Sequence, residues 1–316
     1  MTKHFPGAGP ERDDEDSHFV YGQHQIYPGD NPDYHLEPSR MRSGREVGFG
    51  FHKGIVTELL KGELGFRIVC SDWGLVSDVE ILAKVLNAGC NQLGGEWLPE
   101  LVVVAVERSL VSIERVNGSA RKLLSEKFEL GLFENPFVDP EEAVRIVGHP
   151  DFVKEGETAQ RDGITLLVNK GSILPLHMQQ DVRHKKLYVE GVDHELLATG
   201  YGLQDHAGTL EWSLKEKQRQ AAIFSMVPAT IVDIYLDRPA AVPELFEQAT
   251  AVVASYGSNP RALLDVLFAV GGAEPKGRLP FDLPSSDAAV QRSREDVPFD
   301  TENPTFRYGH GLAYKR

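Results

Sequence analysis

From residue 164 onward, short uninterrupted apolar runs alternate with amphipathic stretches, and this alternation narrows the folds open to the chain more than any other feature. The runs cover residues 164–168, 187–190, 230–236 and 251–256, and helical spacing recurs near 213–225, 243–249 and 260–269. A strand that is apolar at nearly every position must be buried on both faces, and helices on either side of a mostly parallel sheet provide that burial. Upstream, Ile55, Val56, Leu59 and Leu60 fall at helical spacing, and residues 66–70 read as a buried strand. Helices follow over about 78–87, ending at Gly89, over about 99–108, and from an N-cap at Ser112 to about 127. Residues 6–50 are rich in Gly, Pro, Asp and His and read as loops with one short helix near Tyr34. Pro136, Pro140 and Pro150, with Glu141 and Glu142, have the composition of a linker, which divides the chain into domains at 1–140 and 141–316. Both parts read as α/β.

A chain of 316 residues with net charge −14 and a pI near 5.3 has a sizeable core and no basic footprint, so nucleic acid and anionic membrane surfaces are excluded as partners. No apolar run approaches the ~20 residues of a spanning helix, and the first residues lack the basic-then-apolar pattern of a secretory signal. Cys70 and Cys90 make neither a disulfide scaffold nor a CxxC motif, so a reduced, cytoplasmic protein is expected. His18, His24, His35 and His52 match no ligand spacing, and no glycine run has the strand-then-helix setting of a dinucleotide fingerprint. Neither a metal nor a cofactor is expected.

Ser71-Asp72-Trp73-Gly74 directly follows the strand read at 66–70. A carboxylate at the C-terminal end of a barrel strand, beside an indole able to stack on a sugar ring, has the chemistry of a glycosidase nucleophile. The same aspartate could instead cap a helix starting near Gly74. Lys3-His4-Phe5-Pro6-Gly7, Ser71-Asp72-Trp73, Gly89-Cys90-Asn91-Gln92, Ala120-Arg121-Lys122-Leu123-Leu124 and Leu130-Gly131-Leu132-Phe133 occur in order. Downstream come Leu166-Leu167-Val168-Asn169, Leu174-Pro175-Leu176, Gly277-Arg278-Leu279-Pro280-Phe281 and Tyr308-Gly309-His310-Gly311-Leu312. With these motifs the chain resembles the family 3 glycoside hydrolases.

The resemblance implies a retaining exo-β-glycosidase, β-glucosidase-like, that joins a (β/α)8 barrel to a doubly wound α/β sandwich and needs no cofactor. It makes Asp72 the nucleophile, sets Trp73 against the sugar ring, and gives Lys3 and His4 hydrogen bonds to sugar hydroxyls. Such a barrel takes ~250 residues, rarely fewer than ~200. With 140 residues ahead of the boundary, a partial barrel is expected, lacking its early strands and shortened between Pro38 and Glu46 and after Asp78. In relatives, a strand and a loop bearing the general-acid Glu lie between segments like Asp193 and His206; here 12 residues intervene, with Glu195 and Asp205 as their carboxylates. No acid/base residue is assigned. The sequence therefore supports a retaining β-glycosidase acting on a carbohydrate substrate. The alternative is a non-catalytic remnant that binds a carbohydrate or a partner. Self-association through the open barrel is expected in either case.

Overall fold

The computed structural model describes residues 10–12, 25–35, 49–74, 76–177, 209–227, 229–236 and 238–315. They divide into two units: Met1–Ala143 with Arg294–Val297, and Val144–Ser293 with Pro298–Arg316. A single cut in the chain does not describe this partition.

In the first unit, α1 (Pro32–His35) and a π-helix (Gly54–Glu63) precede β1 (Cys70–Trp73), α2 (Val79–Ala88), β2 (Gln92–Gly94), α3 (Pro99–Glu107) and α4 (Ile113–Glu129). Asp78 starts α2 by accepting a hydrogen bond from the Ile81 amide at 2.8 Å, and Gly89 ends it at φ 120°, in the positive range that a side chain disfavours. That makes Asp78, not Asp72, the helix cap in this stretch. Leu82, Ala83, Val85 and Leu86 recur at intervals of three and four and are buried with Cys90, Ala105 and Val111. Strands β1 and β2 pair in parallel, with Cys70 opposite Gln92 and Trp73 opposite Gly94. β1, α2 and β2 thus make a βαβ unit, the repeat from which an α/β barrel is built.

The strand expected at 66–70 lies further along the chain. The Phe66 amide bonds back to the Leu60 carbonyl at 2.8 Å and the Leu64 amide to that of Leu59 at 2.9 Å, so residues 64–66 close the π-helix and cannot join the sheet. Pairing starts at Val69, whose carbonyl accepts from the amides of Asn91 and Gln92. Asp72 consequently sits inside the ladder instead of beyond it. After α4 the chain carries a row of exposed apolar side chains, Leu130, Phe133, Phe137 and Val138 among them.

Helix α5 (Pro140–Ile146) holds the division between units, and α6 (Pro150–Gly163) opens the second. Of the three prolines expected to mark a linker, Pro140 and Pro150 are instead the first residues of these two helices, where the missing N–H costs nothing. Next come β3 (Thr165–Asn169), α7 (Leu214–Met226), β4 (Ile231–Tyr235), α8 (Pro243–Gln248), β5 (Ala251–Ser255), α9 (Pro260–Leu267) and α10 (Asp287–Val290). The expected strand at 187–190 lies outside the described residues.

The sheet runs β3-β5-β4, and every residue of the central β5 is buried. Its side chains alternate: Val252 and Ala254 pack with Leu167, Leu245 and Phe246, while Ala251 and Val253 pack with Ile164, Leu166 and Val266. Helices α8 and α9 supply the two coverings, which makes an α/β sandwich. β4 is parallel to β5, but β3 is antiparallel, with Thr165 opposite Ala254 and Asn169 opposite Ala251. Among the described residues the sheet thus has one parallel and one antiparallel pairing, and apolar runs, which report burial on both faces, carry no information about strand direction. No helix among the described residues is long and apolar enough to cross a membrane.

Residues 294–297 join the first unit through Asp296, which is fully buried. Its carboxylate accepts from the amides of Gly29 at 2.7 Å and Asn31 at 2.8 Å. Its carbonyl oxygen takes the Asn31 side-chain amide at 2.9 Å and meets His35 Nε2 at 2.8 Å. Gly29 fits because a Cβ there would come within 2.3 Å of Val297 Cγ2. Asp296→Ala strands two amides and is expected to lower stability by about 2–3 kcal/mol in urea unfolding. Asp296→Asn keeps an acceptor oxygen and should lose clearly less.

Candidate active site

Asp72 and Trp73 are the last two residues of β1, and their position depends on how closely β2 approaches. A Cβ on Gly94 would lie 2.5 Å from the Ser71 carbonyl oxygen and 2.8 Å from that of Asp72, so the strands can run this close only with glycine there. The Ser71 hydroxyl accepts from the Gly94 amide at 2.9 Å and donates to the Asp72 carbonyl at 3.1 Å. Gly74, at φ 69°, ends the strand and donates its amide to the Gly94 carbonyl at 3.2 Å. The Asp72 backbone is therefore held on both sides while its side chain remains half-buried.

The indole of Trp73 lies on bare backbone. A Cβ on Gly95, itself at φ 72°, would sit 2.5 Å from Trp73 Cε3. Supported there, the Trp73 residue is still 59% exposed. The next residue, Glu96, turns inward: its Oε1 accepts the Val76 amide at 2.9 Å, and its Oε2 is buried with no partner. This carboxylate ties the segment after β1 to the segment after β2. Trp97 then points out and is 85% exposed.

Beneath the strands, a set of donors satisfies the carbonyls at the C-terminal end of α2, which no helix can satisfy internally. Arg115 Nε donates to the Leu86 carbonyl at 2.8 Å and Nη2 to that of Cys90; the Thr57 hydroxyl donates to Ala88 at 2.7 Å and the Lys61 ammonium to Gly89. Cationic groups at a helix C-terminus also oppose its negative dipole end. Arg115 Nη1 continues to the Ser119 hydroxyl at 2.6 Å, which also accepts from the Asn91 side chain at 3.1 Å; Asn91 Oδ1 takes the Val69 amide at 3.3 Å. The network thus links α2 and α4 to the starts of both strands. Burial, with Lys122 and Arg115 nearby, brings the Lys61 pKa down to about 8. Burial pushes the Cys90 thiol up to about 11, so it stays protonated and unreactive at neutral pH.

Of the residues singled out in the sequence, Asp72 and Trp73 stand side by side on this frame. Lys3, His4, Glu195 and Asp205 lie outside the described residues. Sequence reasoning missed Gly94, Gly95, Glu96 and Trp97. Paired glycines followed by an acid and an indole were the available signal. Among the described residues, no three His, Cys, Asp or Glu side chains group to hold a metal ion.

No family model matches the chain. It is 46% identical over 381 residues to a probable β-glucosidase C of Aspergillus flavus, an alignment covering 99% of this chain and 59% of that protein. It is 45% identical over 382 residues to β-glucosidase C of Emericella nidulans, with 100% and 61% covered. The chain therefore spans about three-fifths of the length of these relatives. An alignment of 381 positions on 316 residues also leaves at least 65 positions of the Aspergillus protein with no counterpart inside the matched stretch. Among solved structures, a β-glucosidase from Listeria innocua in complex with glucose superposes with TM-score 0.67 at 16% identity, covering 99% of this chain and 57% of that one. The shared fold is α/β, a partial barrel ahead of an α/β sandwich.

Gly94→Ala should push β1 and β2 apart and cost about 1–3 kcal/mol in urea unfolding. Gly118→Ala in α4, where an added Cβ meets nothing within 4 Å, is the control and should not destabilise. Lys61 sets a pH dependence. Its folded pKa of about 8 lies below the ordinary 10.5, so between these values the unfolded chain binds the additional proton and stability rises with pH. Tyr27, raised to about 12 by burial and Asp296, acts in the opposite sense above pH 10. The Cys90 thiol, raised from 9.0 to about 11, opposes Lys61 above pH 9, so unfolding free energy should climb from pH 8 to 9, and Lys61→Met should flatten the climb.

Proposed function

We propose that this shortened, β-glucosidase-like chain is a retaining exo-β-glycosidase in descent and site chemistry, with Asp72 as the nucleophile that becomes glycosylated. The observation that carries the reading is the Asp72-Trp73 pair, held at the end of β1 by Ser71 and Gly94 with the indole lying on Gly95. The names of the relatives and the glucose in the Listeria structure support a β-glucoside as the substrate class. In this reading residues 1–140 correspond to the barrel portion and 141–316 to the sandwich domain, and Lys3 and His4 bind sugar hydroxyls.

In the first step a carboxylate oxygen of Asp72 bonds to the anomeric carbon as the aglycone oxygen leaves with the bonding pair. Water then displaces Asp72 and restores the original anomeric configuration. The indole of Trp73 covers the apolar face of the ring. The departing alcohol needs a proton, and none of the described residues is assigned to give it. General-acid help is worth ~10²–10⁴-fold, so donors with activated leaving groups should react while ordinary disaccharides lag far behind. The exposed apolar side chains Phe133 and Phe137 support self-association as a further part of this reading. Cytoplasmic localisation also belongs to it, since Cys70 and Cys90 are thiols of the kind a reducing compartment preserves.

Incubation with a dinitrophenyl 2-deoxy-2-fluoro-β-glucoside, followed by intact-mass and peptide mapping, should reveal one adduct on Asp72. Asp72→Asn should abolish it, and cellobiose turnover should be negligible. No adduct at any concentration would replace the enzyme reading with that of a carbohydrate-binding remnant. Brisk cellobiose turnover lost in Asp72→Asn would mean that another carboxylate supplies the acid.

A further inference from the structure

Helix α4 buries one side and leaves the other uncovered. Ser119 is buried and Val116 packs against the core of the first unit, whereas Ile113, Leu124 and Phe128 stay exposed, Phe128 at 61%. At about 100° per residue these three fall on one outward stripe with Glu114, Asn117 and Arg121. A shallow groove lined by Asn117, Arg121, Leu124 and Phe128 runs along it. An apolar stripe on the open side of a 17-residue helix marks a surface that another element covers.

The charges on the stripe point to the occupant. Neighbouring exposed cations are paired inside the chain, Arg67 with Glu129 at 2.6 Å and Arg108 with Glu80 at 3.4 Å. Among the described residues, the Glu114 carboxylate and the Arg121 guanidinium have no such partner. They lie almost two full turns apart, ~10 Å along the axis, so both face outward and do not reach each other.

A two-fold axis perpendicular to α4, midway between residues 117 and 118, sets two copies antiparallel. Glu114 and Arg121 are equidistant from that midpoint, so each Glu114 then stands opposite the partner's Arg121. The same register lays Leu124 against the partner's Leu110 and Ile113, both exposed. The net charge of −14 opposes contact between copies at large, whereas the sequence of α4 is locally balanced, with Arg115, Arg121, Lys122 and Lys127 against Glu114, Glu126 and Glu129.

We propose that the outer face of α4 is a self-complementary interface on which a second copy of this chain docks antiparallel. Two reciprocal Glu114–Arg121 pairs flank the axis, and Leu110, Ile113 and Leu124 close the contact beyond them. The inference rests on the self-association reading, for which it names the surface, and is independent of the chemistry at Asp72. One helix per copy makes a small contact, so the dimer is reversible and depends on concentration.

Sedimentation equilibrium of the whole chain across a wide concentration range measures the dimer constant, with each variant checked for an unchanged thermal melt. The parent chain should dimerise reversibly. Arg121→Glu turns both pairs into like-charge contacts and should weaken the dimer about tenfold or more. Glu114→Arg should act alike, and the double variant E114R/R121E, which restores both pairs with reversed sign, should recover most of the loss. Leu124→Ser should also weaken the dimer, whereas Leu214→Ser, at an exposed apolar position of the second unit, should not. A dimer unchanged by Arg121→Glu, or a double variant no tighter than the single ones, overturns the α4 interface while self-association through another face stands. A parent chain that is monomeric at every concentration overturns both.

Discussion

The first unit depends on two strands approaching more closely than side chains ordinarily permit. At Gly94 the carbonyl oxygens of Ser71 and Asp72 occupy the space a Cβ would fill. A sheet spacing set this tightly leaves the Asp72 backbone little freedom, because Ser71 and Gly74 both bond to residue 94. The backbone of the nucleophile candidate is thus fixed by strand pairing together with the Ser71 hydroxyl. Main-chain positioning of this kind is rigid, as preorganised chemistry requires. The donors at the end of α2 extend the same restraint downward, since Arg115 reaches the carbonyls on either side of the turn that feeds β2.

The second unit is built on a different constraint. β5 is buried on both faces, so its residues must satisfy two packing environments at once. Only small and β-branched side chains, Ala251, Val252, Val253 and Ala254, lie between coverings that include Leu245 and Phe246 on one side and Val266 on the other. The antiparallel β3 contributes Leu166 and Leu167 to opposite faces of the same sheet.

Much of this was legible in the sequence, and the failures have physical causes. Periodicity located α2, α3, α4, α7, α8 and α9, most clearly α2 with its buried apolar stripe, and the capping signal at Ser112 marked one start. β4 and β5 were legible as continuous apolar runs. The strand at 66–70 was misread because Phe66 is apolar yet its amide closes a π-helix, a bond that composition does not encode. α5 and α6 were not legible because Pro140 and Pro150, which start them, share with Glu141 and Glu142 the composition of a linker. Asp72 and Trp73 stood out as chemistry next to a strand. Glu96 and Trp97 did not, because their meaning comes from the parallel pairing that sets residue 94 against residue 73.

The Asp296 clamp bears on the order in which the molecule can assemble. Gly29 and Asp296 are 267 residues apart in the chain, yet they share a hydrogen bond inside one unit. At the ~5–20 residues per second of synthesis, the ribosome delivers the carboxylate roughly ten seconds to a minute after the amides that it binds. The first unit to begin synthesis therefore cannot close until nearly the whole chain has been made. Throughout that interval the segment around Gly29 must wait, with its polar groups served by water, while most of the second unit is made.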